Sequence, residues 1–199
     1  MKYIITLIFV FNLNLLFSQE STASKQVTTF EIDAPQLNSK KKIWIYLPKD
    51  YNTTTKKYPV IYMHDGQNLF DVLTGPFGEW GVDECLDTLS KKLKFDVIVV
   101  GIDNGGEKRI EELSPFKNAK YGGGNGENYV KFIVETLKPY IDKNYRTKSC
   151  KKHTTIGGSS LGSLISVYAA VKYPETFGKV LAFSSAFWFN AKELNEFIL

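Results

Sequence analysis

Histidine, cysteine and methionine are scarce in this sequence, two of each in 199 residues. His64 and His153 lie far from each other and from Cys85 and Cys150 in the chain, so no His/Cys set with metal-ligand spacing exists. Neither a metal nor any other cofactor is expected. Two cysteines permit one disulfide, Cys85 with Cys150, against the simpler expectation of free, partly buried thiols. Charge of one sign is lacking too, the formal net charge being +4. The Lys-rich stretches Lys40 to Lys42, Lys91 to Lys94 and Lys148 to Lys152 fall between elements rather than along one helical face. They read as solvated surface and argue against a nucleic-acid partner.

Long apolar runs are confined to the start of the chain. Met1-Lys2-Tyr3 is followed by the unbroken run Ile4 to Phe11 and by a mixed stretch ending at Ser18-Gln19. A membrane span needs about 20 apolar residues, and Asn12 and Asn14 interrupt this one, so residues 1–19 read as a secretory signal peptide. No cysteine follows the run to carry a lipid anchor. The expectation is export to the periplasm or the medium, with no stable membrane insertion after cleavage. With 43% hydrophobic residues, residues 20–199 suit one globular domain.

Val27 to Ile32 and Ile43 to Leu47 have strand character and suggest a hairpin opening a sheet. Val60 to His64 is a short apolar run ending on Asp65-Gly66, a buried strand reaching a turn. Helical spacing of Val82, Leu86 and Leu89 follows, then the strand-like Phe95 to Ile102. Asp103 to Gly126 is Gly-, Asn- and charge-rich and lacks periodicity, which marks a functional loop. Its glycines Gly122 to Gly124 have no phosphate-loop ending. A helix is expected from about Asn128, a strand over His153 to Ile156, a helix over Leu164 to Val171 stopped by Pro174, and a strand over Lys179 to Phe183. Strands alternating with helices imply an α/β architecture, a mostly parallel sheet with helices on both faces and loops carrying chemistry at the strands' carboxyl ends.

Gly158-Ser159-Ser160-Leu161-Gly162 fits Gly-x-Ser-x-Gly between an apolar strand and an apolar helix, the setting of a nucleophile elbow. The glycines allow the tight turn that lifts the Ser160 hydroxyl above the sheet edge, and the helix N-terminus favours negative charge there. The Leu161 amide follows the serine. His64-Asp65-Gly66-Gln67-Asn68 ends the third strand, where a Gln67 amide turned back by Gly66 would be a second donor to an oxyanion.

Tyr62-Met63-His64-Asp65-Gly66-Gln67-Asn68-Leu69-Phe70, Glu79-Trp80-Gly81-Val82-Asp83, Gly101-Ile102-Asp103-Asn104, Arg109 with Glu112 and Pro115, Tyr121 to Gly124, Leu137 to Asp142, Tyr145-Arg146-Thr147 and Gly157 to Gly162 together resemble the putative-esterase family of α/β-hydrolases. That family includes esterase D-like, siderophore and feruloyl esterases. The resemblance covers about Val27 to Phe189. It implies an α/β-hydrolase fold, Ser160 as nucleophile of an acyl-enzyme mechanism, and the Gln67 and Leu161 amides as oxyanion hole. It implies small-molecule or glycan-linked esters as substrates.

Members of the family carry the triad acid after a seventh strand and the histidine after an eighth, whereas six strands are expected before Leu199. The domain therefore reads as incomplete at its C-terminus, with its last strands missing and its esterase activity impaired. The rival reading is a non-catalytic homologue or binding protein. His153 should lie at the far end of the elbow strand; His64 is better placed, with bracing of the oxyanion loop as its expected role. Trp80 and Arg109 are expected to line or brace the pocket, against core packing for Trp80 and a surface pair of Arg109 with Glu112. Phe183, Phe187, Trp188 and Phe189 are expected on an uncovered apolar face.

Overall fold

A computed structural model describes residues 20–76 and 78–199, so the signal-peptide assignment lies outside the described residues. In chain order the elements are β1 (Val27–Ala34), β2 (Ser39–Tyr46), β3 (Val60–His64), α1 (Val82–Leu93), β4 (Ile98–Ile102), α2 (Arg109–Leu113), α3 (Gly126–Lys131), α4 (Lys138–Asn144), β5 (Thr154–Ser159), α5 (Leu161–Lys172), β6 (Lys179–Phe183) and α6 (Ala191–Ile198). One six-stranded sheet runs β1-β2-β4-β3-β5-β6. The hairpin β1-β2 is antiparallel and β2 joins β4 antiparallel, while β4, β3, β5 and β6 are parallel.

The central strands are apolar on both faces because both are covered, as parallel strands require. Ile43, Ile45, Val60, Tyr62, Ile98, Val100 and Ile156 face the larger core, under α3, α4 and α5. Their alternates Trp44, Tyr46, Met63 and Val99 face α1 through Leu86, with Val82 and Leu89 at its margin. Between α3 and α4 the chain makes a π-helical turn, Phe132–Leu137. Pro139 follows at once; without an N–H and with a ring that crowds the preceding turn, it fits where that turn is widened.

Four sequence expectations need correction. The loop from Asp103 to Gly126 is not without structure: it holds α2 and a bridge of Asn118 with Gly122. Lys41 is not solvated surface, since it is 4% exposed and its ammonium lies 2.6 Å from the Glu112 carboxylate. Phe189 belongs to the core at 5% exposure, whereas Phe183, Phe187 and Trp188 are exposed as expected. Cys85 and Cys150 are free, and both are exposed where partial burial was expected. None of the described helices is long and apolar enough to cross a membrane.

On the α1 side, β6 is the sheet edge and leaves an apolar groove of about 480 Å³ lined by Ile61, Met63, Leu86, Leu89, Leu181 and Phe183. Open apolar surface beside an edge strand, which among the described residues is paired on one side only, favours association. The 199-residue polypeptide should bind a hydrophobic dye in native buffer and sediment faster as concentration rises, and Phe183→Ser should weaken both effects. A dye-free monomer at all concentrations would contradict this.

Candidate functional site

β5 ends at Ser159 and α5 starts at Leu161, leaving Ser160 alone to reverse the chain at φ 58, ψ −119. A serine held at positive φ is strained, and strain of this kind persists where surrounding contacts fix it. The Ser160 N–H donates to Phe183 O, and its carbonyl accepts the Ala186 N–H, so β6 and the turn after it clamp the elbow. A Cβ on Gly158 would lie 3.1 Å from Gly162 and from the His64 ring, so the turn closes because neither glycine has a side chain.

Parallel pairing of β3 with β5 brings His64 beside this turn. Its imidazole is buried and both nitrogens are engaged, Nδ1 at 2.8 Å from Tyr129 Oη and Nε2 at 3.0 Å from Ser166 Oγ. Ser166 donates its own proton to Gly162 O, so its oxygen accepts from Nε2–H, and Nδ1 must accept from the Tyr129 hydroxyl. The ring is thus a neutral Nε2–H tautomer with no nitrogen left over. Burial pushes its pKa down from 6.5 to about 4, against a smaller upward pull from Asp65.

This shift makes stability depend on pH. Because the folded value lies below the unfolded 6.5, the ring's contribution is complete above that pH and is lost as pH falls toward about 4. The unfolded chain takes up the proton first over this window, which costs about 3 kcal/mol. Urea melts across it should show the decline, and His64→Asn should flatten it. An unchanged slope in that variant would assign the decline to other groups.

Asp65 follows at φ 57, a left-handed conformation that aspartate tolerates better than most residues. Arg109 grips it from α2 with two hydrogen bonds, Nε to Oδ1 at 2.7 Å and Nη2 to Oδ2 at 2.9 Å, and Asn104 Nδ2 donates to the same carboxylate. Burial alone would raise the Asp65 carboxyl, but the Arg109 guanidinium and Asn104 hold it below the usual carboxylate range. Arg109 therefore pairs with Asp65 and not with Glu112, whose partner is Lys41.

Ser160, His64, Asp65, Gln67, Trp80 and Arg109 line one cavity of about 570 Å³, whose walls also include Asn68, Leu69, Pro76 and Asn104. Trp80 is not a core residue: it is 47% exposed and meets Phe183 edge-on at 5.6 Å between centroids. Gln67 lies in the 3₁₀ turn Gly66–Asn68 and Leu161 in the first turn of α5, where amides lack intrahelical acceptors. His153 precedes β5 at its opposite end, roughly 20 Å from Ser160 at 3.3 Å per strand residue. Tyr129 and Ser166, which fix the His64 ring, were not singled out by sequence, because a tyrosine 65 residues from its partner leaves no pattern.

The profile of the family described as Putative esterase matches residues 34–197. Uncharacterized protein YbbA of Bacillus subtilis is 29% identical over 161 residues, 77% of this chain and 60% of that protein. Ferri-bacillibactin esterase BesA of the same organism is 26% identical over 155 residues, 67% of this chain and 49% of that protein. The chain thus spans about half the length of these relatives. An IroE-like serine hydrolase from Shewanella oneidensis superposes with a TM-score of 0.72 at 24% identity, covering 86% of this chain and 54% of that one. The likeness of fold is that of α/β-hydrolases.

Proposed function

The chain belongs to the Putative esterase family, and from that premise we propose that it is the nucleophile-bearing part of a serine carboxylic-ester hydrolase. The observation that carries the reading is Ser160 itself, held at φ 58 between β5 and α5 on the wall of a cavity. Ser160 Oγ attacks the ester carbonyl carbon while its proton passes to a base, and the carbonyl oxygen becomes an oxyanion facing the Gln67 and Leu161 amides. Collapse expels the alcohol, which takes the proton back. Water, activated by the same base, then attacks the acyl-enzyme to release the acid and restore the serine.

The base is not among the described residues, since both His64 nitrogens are engaged and His153 lies at the wrong end of β5. The same fact favours a second reading, a binding protein that keeps the cavity without the chemistry. The cavity carries Asp65 and Arg109 as a neutralised pair, with Leu69, Pro76 and Trp80 as apolar wall. It suits a neutral small-molecule or glycan-linked ester and needs no cofactor. Export follows from residues 1–19, with no nucleic-acid partner and no stable membrane insertion after cleavage; a mature N-terminus near Glu20 would support it.

Exogenous imidazole separates the two readings. With imidazole and an activated p-nitrophenyl ester, Ser160 should gain one acyl group, found by mass spectrometry on its peptide and absent in Ser160→Ala. No acyl group on Ser160, while free imidazole alone consumes the ester in solution, would leave only the binding reading.

A further inference from the structure

Glu79, Asp83 and Glu84 come from the turn before α1 and from its first turn, and one carboxylate oxygen of each lies within 4.8 Å of the other two. Three acids at a loop–helix junction read in sequence as ordinary first-turn residues. The helix dipole does favour acids there, which suffices for the exposed Glu84. It does not account for Asp83, which is 0% exposed. Asp83 Oδ2 accepts the Ser24 N–H at 2.7 Å, but its Oδ1 is buried without a donor.

Two more orphaned oxygens belong to Glu79 and to Ser24, whose N–H meets Asp83. Glu79 Oε2 and Ser24 Oγ are likewise buried without a hydrogen-bond partner. Among the described residues, no Lys or Arg forms an ion pair with any of the three acids. A buried carboxylate oxygen such as Asp83 Oδ1, with neither donor nor countercharge and two more acids close by, calls for a cation. We infer that Glu79, Asp83 and Glu84, with the Ser24 hydroxyl, bind a hard divalent cation, Ca²⁺ ahead of Mg²⁺.

The donor set is all oxygen, which suits neither zinc nor copper. Three carboxylate oxygens within 4.8 Å of one another can share one ion, and Ca²⁺ accepts such a loose, carboxylate-rich set, whereas Mg²⁺ demands a stricter octahedron and keeps most of its water. Water and backbone carbonyls complete the shell. The ion would tie the segment at Ser24 to the start of α1 and hold Trp80, which lies between Glu79 and Asp83 and lines the Ser160 cavity. The inference is independent of any reaction at Ser160.

The 199-residue chain, stripped with chelator, should melt about 5–10 °C higher when Ca²⁺ is restored at a hundred times its Kd. Mg²⁺ should do less. Tb³⁺ should bind in place of Ca²⁺ and emit on tryptophan excitation, the emission falling as Ca²⁺ displaces it. Glu84→Gln, at an exposed position that should fold normally, should lose both the melting shift and the emission; Trp80→Phe should lose most emission but keep the shift. A wild-type chain that melts cooperatively with no Ca²⁺ shift and no Tb³⁺ emission would overturn the inference, leaving a proton shared among the acids. A full response in both Glu84→Gln and Glu79→Gln would overturn it too.

Discussion

Hydrolysis of p-nitrophenyl acetate by the 199-residue polypeptide, without added imidazole, should run no more than about 10³-fold above the reaction in water. Where a serine hydrolase has its full triad, loss of the histidine alone costs about 10⁶ in turnover, or about 8 kcal/mol of barrier. Here Ser160 has its strained backbone and a first-turn amide beside it. It lacks a described group able to take its proton. His64, with a pKa of about 4 and hydrogen bonds at both nitrogens, cannot accept it without giving up Tyr129 or Ser166.

Labelling by a fluorophosphonate should be correspondingly slow. Both rates should rise by several decades in a longer polypeptide whose added segment brings an imidazole within about 2.6–3.2 Å of the Ser160 hydroxyl. Fast, Ser160-dependent turnover in the 199-residue polypeptide would sink this account, and His64→Asn would then be the first variant to make.

The elements were legible because each central strand is a continuous apolar run and each covering helix has its own period. The elbow was legible because its glycines stand at fixed offsets from Ser160. What did not show was pairing across the chain. Lys41 sits in a run of three lysines on β2, where alternate side chains face opposite ways, so Lys40 is exposed and Lys41 is buried. Its partner Glu112 is 71 residues away, and Arg109, three residues before Glu112, turns instead to Asp65. Nothing in the local pattern of Lys40-Lys41-Lys42 distinguishes the inward lysine from its neighbours. The Glu79–Asp83–Glu84 group was hidden for a related reason: composition reports acids but not which of them are buried without donors.

The buried pair of Lys41 on β2 with Glu112 on α2 should weigh heavily on the stability of the fold. Lys41 Nζ lies 2.6 Å from both Glu112 oxygens, and each side chain is 4% exposed. Lys41→Met keeps the length of the stem and removes the charge, which strands the Glu112 carboxylate in the core. Breaking one half of a buried pair costs about 3–5 kcal/mol, and at about 2–4 °C per kcal/mol for a chain of this size the melting temperature should fall by roughly 6–20 °C. Removing both charges together is a different matter, because the desolvation cost leaves with them. Lys41→Met combined with Glu112→Leu should recover most of the loss, giving a large favourable coupling in a double-mutant cycle. The effect should reach the candidate site as well. The Lys41 ammonium stands 6.0 Å from the Tyr129 ring centre, and the Tyr129 hydroxyl is what His64 Nδ1 accepts from beside the elbow. A stranded Glu112 charge would disturb that hydroxyl, so Lys41→Met should also slow imidazole-assisted acylation of Ser160 at temperatures well below its melting point. Equal stability of wild type and Lys41→Met in urea melts would show the pair to be worth no more than an exposed one, despite its burial.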